Sequence, residues 1–138
     1  MALSVGTVEY FNTRVTDEPG KAYEMLARLA SEGINLRAFS AVPYGSNFVE
    51  FTIFPDNSED FLRAAELLGW TTTGPQHACL IQGDDHLGAL AEIHKKLMDA
   101  GVSIYASSGV TDGHGHFGYV IYFKEGDQVA AAQALKGL

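Results

Sequence analysis

Two short loops hold the residues best suited to bind a charged small molecule. The first reads Asp17-Glu18-Pro19-Gly20 and the second Asp85-His86-Leu87-Gly88. Where such a loop leads into a helix, the first backbone N–H groups lack internal partners and the helix dipole favours an anion. Gly20 has no side chain to block a ligand's carboxylate, and Asp17 could bind an ammonium group on the same ligand. An amino acid carries both charges close together, which suits this pairing. The structural reading is simpler: Asp17 caps the helix and Gly20 permits a tight turn.

Other reactive side chains point to less. The five histidines include His114 and His116 in one predicted hairpin, but a zinc or copper site needs three or four convergent ligands. Spacing does not bring His86 or His94 to that hairpin, so no metal is expected. His94 falls on an apolar helical stripe and reads as a satisfied, partly buried histidine. Cys79, the single cysteine, excludes an internal disulfide and any CxxC site, and it reads as a small core residue. No nucleophile–base order, phosphate loop or dinucleotide fingerprint is present. The expectation is a non-enzyme with no catalytic residues and no cofactor.

A net charge of −8, with nine scattered Lys and Arg, argues against nucleic acid. No apolar run approaches the roughly 20 residues that span a bilayer. The stretch 1–7 has neither a basic region nor a long apolar core, so no signal peptide is expected and the cytoplasm is the default.

The elements that would position these loops recur. A shift of 68 places Asp17 on Asp85, Gly20 on Gly88, Glu24 on Glu92, Leu29 on Leu97, Gly33 on Gly101 and Leu36 on Ile104. One residue further, Phe54 falls on Phe123. The first half predicts a strand over 8–15 and a helix after Pro19-Gly20, with Asp17 or Glu18 suiting its cap, that ends at Gly33. A strand over 34–39, a turn over 43–47 and a strand over 48–54 follow. A helix capped by Ser58 stops at Gly69, before a short strand over 70–73. The second half predicts strand 77–82, helix 87–100, strands 102–108 and 117–123, and helix 127–136. Its fourth strand is either absent or borrowed. The expected fold is α+β, a duplicated ferredoxin-like βαββαβ antiparallel sandwich, with domains 1–74 and 75–138 meeting at Gly74-Pro75.

Such a sheet carries its helices on one face. The pattern puts Ile34, Leu36, Val49, Phe51 and Ile53 toward them, with Phe39, Phe48 and Phe54 opposite. In the second half Tyr105, Phe117, Tyr119, Ile121 and Phe123 would also face away. So many apolar groups on a bare face call for a cover, and a homodimer is expected. The bland alternative is that these aromatics are ordinary core.

The run from Val15 to Lys21, followed by a helix and Gly33-Ile34-Asn35-Leu36, resembles the ACT-domain signature, and the chain is similar to free-standing tandem ACT proteins. The resemblance implies a regulatory protein that senses an amino acid or related effector at a domain or subunit interface. It also implies a regulated enzyme or transcription factor as partner. It assigns ligand contacts to Asp17 and Asn35 and makes Glu18, Pro19 and Gly20 candidates beside them. Some serine-binding members carry Asn at the first position and His two residues earlier, where this chain has Asp17 and Val15. The second repeat lacks the proline and has Ser103 in place of the Asn, so Asp85, His86, Gly88 and Ser103 form either a second, different site or a structural copy. A ligand-free interaction module and a ferredoxin-like enzyme are the competing readings.

Overall fold

A computed structural model describes residues 3–136 and 138; Met1, Ala2 and Gly137, which the expected domains include, lie outside the described residues. The elements are β1 (Ser4–Thr16), α1 (Lys21–Ser31), β2 (Leu36–Tyr44), β3 (Phe48–Pro55), α2 (Ser58–Leu68), β4 (Thr73–Asp84), α3 (Ala89–Asp99), β5 (Ile104–Thr111), β6 (His116–Phe123) and α4 (Asp127–Leu135). The chain forms two compact units. The first is Glu9–Gln76; the second joins Met1–Val8 to His77–Leu138.

Two long strands serve both units. The first unit's strand order is β2-β3-β1-β4, using residues 9–16 of β1 and 73–76 of β4. The second unit's order is β5-β6-β4-β1, using residues 77–84 of β4 and the leading residues of β1. The second repeat's fourth strand is therefore borrowed from the start of the chain. Val8 is buried there, and Leu3 and Val5 pack against that unit's core. Gly83 makes room, since a Cβ at that position would collide with the Leu3 side chain. In the first unit a Cβ on Gly74 would lie 2.8 Å from the Tyr10 carbonyl oxygen. Pro75 sits where β4 is that unit's outermost strand and needs no ladder N–H. The strands expected over 70–73 and 77–82 are thus one strand, starting at Thr73.

Within the first unit Phe11 stacks on Phe61 at 4.8 Å, in a core with Leu29, Ile34, Phe51 and Ile53. Helix α1 buries Met25 and Leu29 and ends as a glycine-closed turn: Gly33 is left-handed, and the Ile34 N–H donates to the Leu29 carbonyl at 2.9 Å. Its N-cap is Gly20 with no side-chain bond, so neither Asp17 nor Glu18 caps it. Helix α2 is capped by Asn57, which accepts from the Asp60 N–H at 2.9 Å, rather than by Ser58, its first helical residue. The second strand runs on through Pro43 and Tyr44, leaving Gly45-Ser46-Asn47 as the turn.

The second unit repeats this plan. Gly20 and Gly88 have φ of 83° and 85°, and Gly33 and Gly101 have φ of 76° and 72°. Both second strands are irregular at matching places, Leu36/Ala38 and Ile104/Ala106. Strand β3 maps onto β6 by the same 68 residues (48–55 onto 116–123), whereas α2 and α4 start 69 apart. The extra residue therefore follows the third strand, and Phe123 corresponds to Pro55, not Phe54. That single step reverses a face. Phe117, Tyr119, Ile121 and Phe123 lie in the core with Cys79, Ile81, Ile93 and Leu97; they do not form an outer aromatic surface. Phe39 also turns inward, 5.3 Å from Phe51, because the β2 irregularity at Leu36/Ala38 shifts the alternation. Phe54 does lie opposite the helices, buried against Tyr10 at 5.2 Å. Much of the apolar surface on which the expected pairing rests is therefore ordinary core. Among the described residues, no helix is long and apolar enough to cross a membrane.

Candidate functional site

In the first unit, the loop between β1 and α1 is pinned at its start, where the Asp17 N–H donates to the Asn47 carbonyl at 2.9 Å. The Thr16 hydroxyl bonds the Glu18 carboxylate, and the Lys21 N–H donates to the Glu18 carbonyl at 3.2 Å. Asp17, Glu18, Pro19 and Gly20 are all exposed. Because the left-handed N-cap is a glycine, the start of α1 carries no side-chain cap. An anion could approach its N–H groups.

Asn35 is also exposed, but at the other end of the sheet. Thr16 pairs with Phe48, whereas Leu36 pairs with Pro55, and the Asp56 N–H donates to the Asn35 carbonyl at 2.9 Å. Seven strand steps separate those β3 partners, on the order of 20 Å at about 3.3 Å per residue. Within one unit, Asp17 and Asn35 do not meet. The second unit repeats the separation. Asp84 pairs with His116, beside Asp85, while Ile104, beside Ser103, pairs with Phe123.

The second-unit loop has more around it. The Asp85 N–H donates to the Gly115 carbonyl at 2.8 Å, which ties the loop to the β5–β6 hairpin. Helix α3 again starts on a left-handed glycine, Gly88, with no side-chain cap. Beside it opens a cavity of about 360 Å3, walled by Asp85, His86 and Gly88 on the loop side and by Val110, Thr111 and Phe117 on the hairpin side. His86 Nδ1 is 3.2 Å from the Asp84 carbonyl and its Nε2 is 3.5 Å from Glu92. The structure thus brings Asp85, His86 and Gly88 together at one cavity and leaves Ser103 elsewhere.

On the hairpin, His116 Nδ1 lies 3.2 Å from Asp112 and its Nε2 lies 3.9 Å from Asp84. The backbone N–H groups of His114 and His116 donate to Asp112 at 2.6 and 3.1 Å. Those donors, with the His116 side chain next, hold the Asp112 carboxyl below the usual carboxylate range. Among the described residues, no three His, Cys, Asp or Glu side chains converge to hold a metal ion. Cys79 is fully buried, and burial pushes its thiol pKa up, away from thiolate reactivity.

His94 carries an arrangement that sequence reasoning missed. It is exposed rather than partly buried, and its Nε2 lies 2.7 Å from the hydroxyl of the core residue Tyr119. Tyr119 in turn bonds Ser107 Oγ at 2.9 Å. No motif marks this trio, because its residues come from α3, β6 and β5. The inward alternation of β6 was the one available signal.

No protein-family model matches the sequence, and no curated protein matches it significantly. Solved structures do. Protein BT0572 from Bacteroides thetaiotaomicron superposes with a TM-score of 0.81 at 19% identity, over 96% of this chain and 88% of that one. The ligand-free regulatory subunit of aspartate kinase from Thermus thermophilus gives 0.66 at 18% identity, over 98% and 95%. Escherichia coli aspartokinase III, in complex with lysine and aspartate, gives 0.53 at 16% identity, over 98% of this chain and 32% of that one. At such identities the likeness establishes the fold, which is the duplicated βαββαβ arrangement of the ACT type.

Proposed function

We propose that this chain is a regulatory, non-catalytic protein of two ACT-type domains that binds a small effector, an amino acid or a close relative. The observation that carries the reading is the glycine-led, uncapped helix N-terminus in both units, which in the second opens on a cavity of about 360 Å3. That space suits a ligand of amino-acid size, with the helix start facing its carboxylate and Asp85 or Asp17 facing its ammonium. The shared fold supports the reading, since one solved relative is a regulatory subunit and another holds lysine and aspartate.

The wide separation of Asp17 from Asn35 gives the site its setting. A ligand that engages both takes the loop from one copy and the start of β2 from another, so the effector lies at an interface and the working form is a homodimer. Binding then shifts the assembly, or a partner enzyme or transcription factor, only through unequal affinity for two states. The protein would work in the cytoplasm.

The test is a thermal-unfolding screen against the common amino acids, with calorimetry on any hit. A ligand at 100 times its Kd adds about 2.7 kcal/mol, and Asp85→Asn or Asp17→Asn should weaken the hit at least fivefold. A Tm unmoved by every amino acid sinks this reading. It would favour a second one, a ligand-free interaction module using the exposed Val42, Tyr44 and Phe48 of the first unit.

A further inference from the structure

The groove between α3 and β5 in the second unit shares no lining residue with the cavity at the β4–α3 loop. Its volume is about 620 Å3. Its walls include His94, Met98, Ser103, Tyr105 and Ser107, and among the described residues no carboxylate, lysine or arginine lines it. Met98 and Tyr105 are two of the more exposed large apolar residues of the chain, 68% and 65% accessible.

A hydrogen-bonded chain links the α3 and β5 sides of this groove. His94 Nε2, the Tyr119 hydroxyl and Ser107 Oγ form a hydrogen-bonded chain with links of 2.7 and 2.9 Å. The hydroxyl of buried Tyr119 bonds two exposed groove residues, donating to one and accepting from the other. Each hydroxyl both donates and accepts, so the chain runs in either of two directions. If Ser107 donates into the groove, Tyr119 donates to Ser107 and His94 donates through Nε2–H, which leaves Nδ1 a lone pair. If Ser107 instead donates to Tyr119 and accepts from the groove, the remaining bonds reverse and the neutral His94 proton moves to Nδ1.

We infer that this groove is a second small-molecule site, for an uncharged ligand with an apolar body and one carbonyl, amide or hydroxyl group placed at Ser107. Met98 and Tyr105 give the body its apolar contacts, and the Ser107 hydroxyl accepts or donates at one point. A lining without fixed charge disfavours carboxylates and ammonium groups, which sets it apart from the amino-acid site proposed at the helix N-terminus. Ser103, the counterpart of Asn35, lines this groove, so the ligand's charge and not Ser103 tells the two sites apart.

The test is an NMR titration of the full chain with benzamide, a neutral probe, and benzoate, its anionic counterpart. Benzamide should move the signals of Met98, Ser103, Tyr105 and Ser107 and change the His94 ring-nitrogen shifts as the tautomer responds. Ser107→Ala, an exposed change, and Tyr119→Phe should each weaken benzamide about three- to tenfold, the range of one neutral hydrogen bond. Either of three results overturns the proposal: groove signals unmoved by benzamide, benzoate binding as tightly, or full affinity in both variants. Shifts confined to residues 85–91 would report the other site and also count against this one.

Discussion

At the end of the sheet next to each helix N-terminus, the two units place different chemistry on the same three positions. In the first unit these are Thr16, Tyr44 and Phe48; in the second, 68 residues on, they are Asp84, Asp112 and His116. The Arg14 guanidinium lies 3.5 Å over the Tyr44 ring and 3.3 Å from Glu50, so the first unit's corner is a cation–aromatic cluster. The second unit's corner is a histidine between two carboxylates, beside a cavity. The two units share the backbone plan, with its glycines and strand irregularities, and differ at the corner. A shared fold thus says where a ligand could sit in both units, while the corner residues decide what each would accept.

The largest expected effect tests whether the units really exchange strands. Removing residues 1–8 takes away buried Val8 and the packed Leu3 and Val5, and leaves β4 as the second unit's edge strand, paired with β6 alone. At roughly 1.5–3 kcal/mol for a fully buried side chain, with Leu3 and Val5 only partly buried, the loss should be about 3–6 kcal/mol. Hydrogen exchange should show it first in residues 77–84 and β6, with the first unit's α1 and β3 still protected. Equal loss of protection in both units would end the distinction drawn between them.

The sequence revealed the order of the elements, because glycines at helix ends and alternating strands are local signals. It could not reveal that β1 and β4 each divide between units, since that depends on pairing between distant segments. Its one serious error came from a single residue. Matching Phe54 to Phe123 presumed that the longer loop precedes the third strand, and that slip turned Phe117, Tyr119, Ile121 and Phe123 outward. The loop residues at the candidate site were legible because Pro-Gly and helix starts are sequence features. The cavity beside Asp85 and His86 was not, because the hairpin that walls it lies more than twenty residues away in the chain.

A second experiment sharpens the face assignment. Ile53 and Ile121 occupy equivalent core positions, 1% and 0% exposed. Each mutated to alanine should cost about 2–5 kcal/mol in urea unfolding. Tyr105→Ser, on the exposed strand, should stay within about 0.5 kcal/mol. If Ile121→Ala were as mild as Tyr105→Ser, β6 would be facing the wrong way.

The smallest effect separates the corners by acid. Asp112 accepts two backbone N–H bonds and faces the His116 ring, and those partners favour its ionised form, so its folded pKa lies below the unfolded value of about 3.9. A carboxyl depressed in this way stabilises the fold at pH values above its unfolded pKa. The contribution fades as pH falls through that value toward the folded one, because the unfolded chain then binds the proton first. Asp112→Asn keeps an acceptor but loses the charge. Its urea midpoint should therefore fall below the wild-type midpoint at pH 7, and the gap should close as pH drops below about 4. The equivalent first-unit position is Tyr44, so Tyr44→Phe should give a gap that stays flat over the same acid range. An Asp112→Asn gap that is also flat would mean the second corner's charges do nothing for folding. The difference between the two corners would then have to be sought in ligand binding alone.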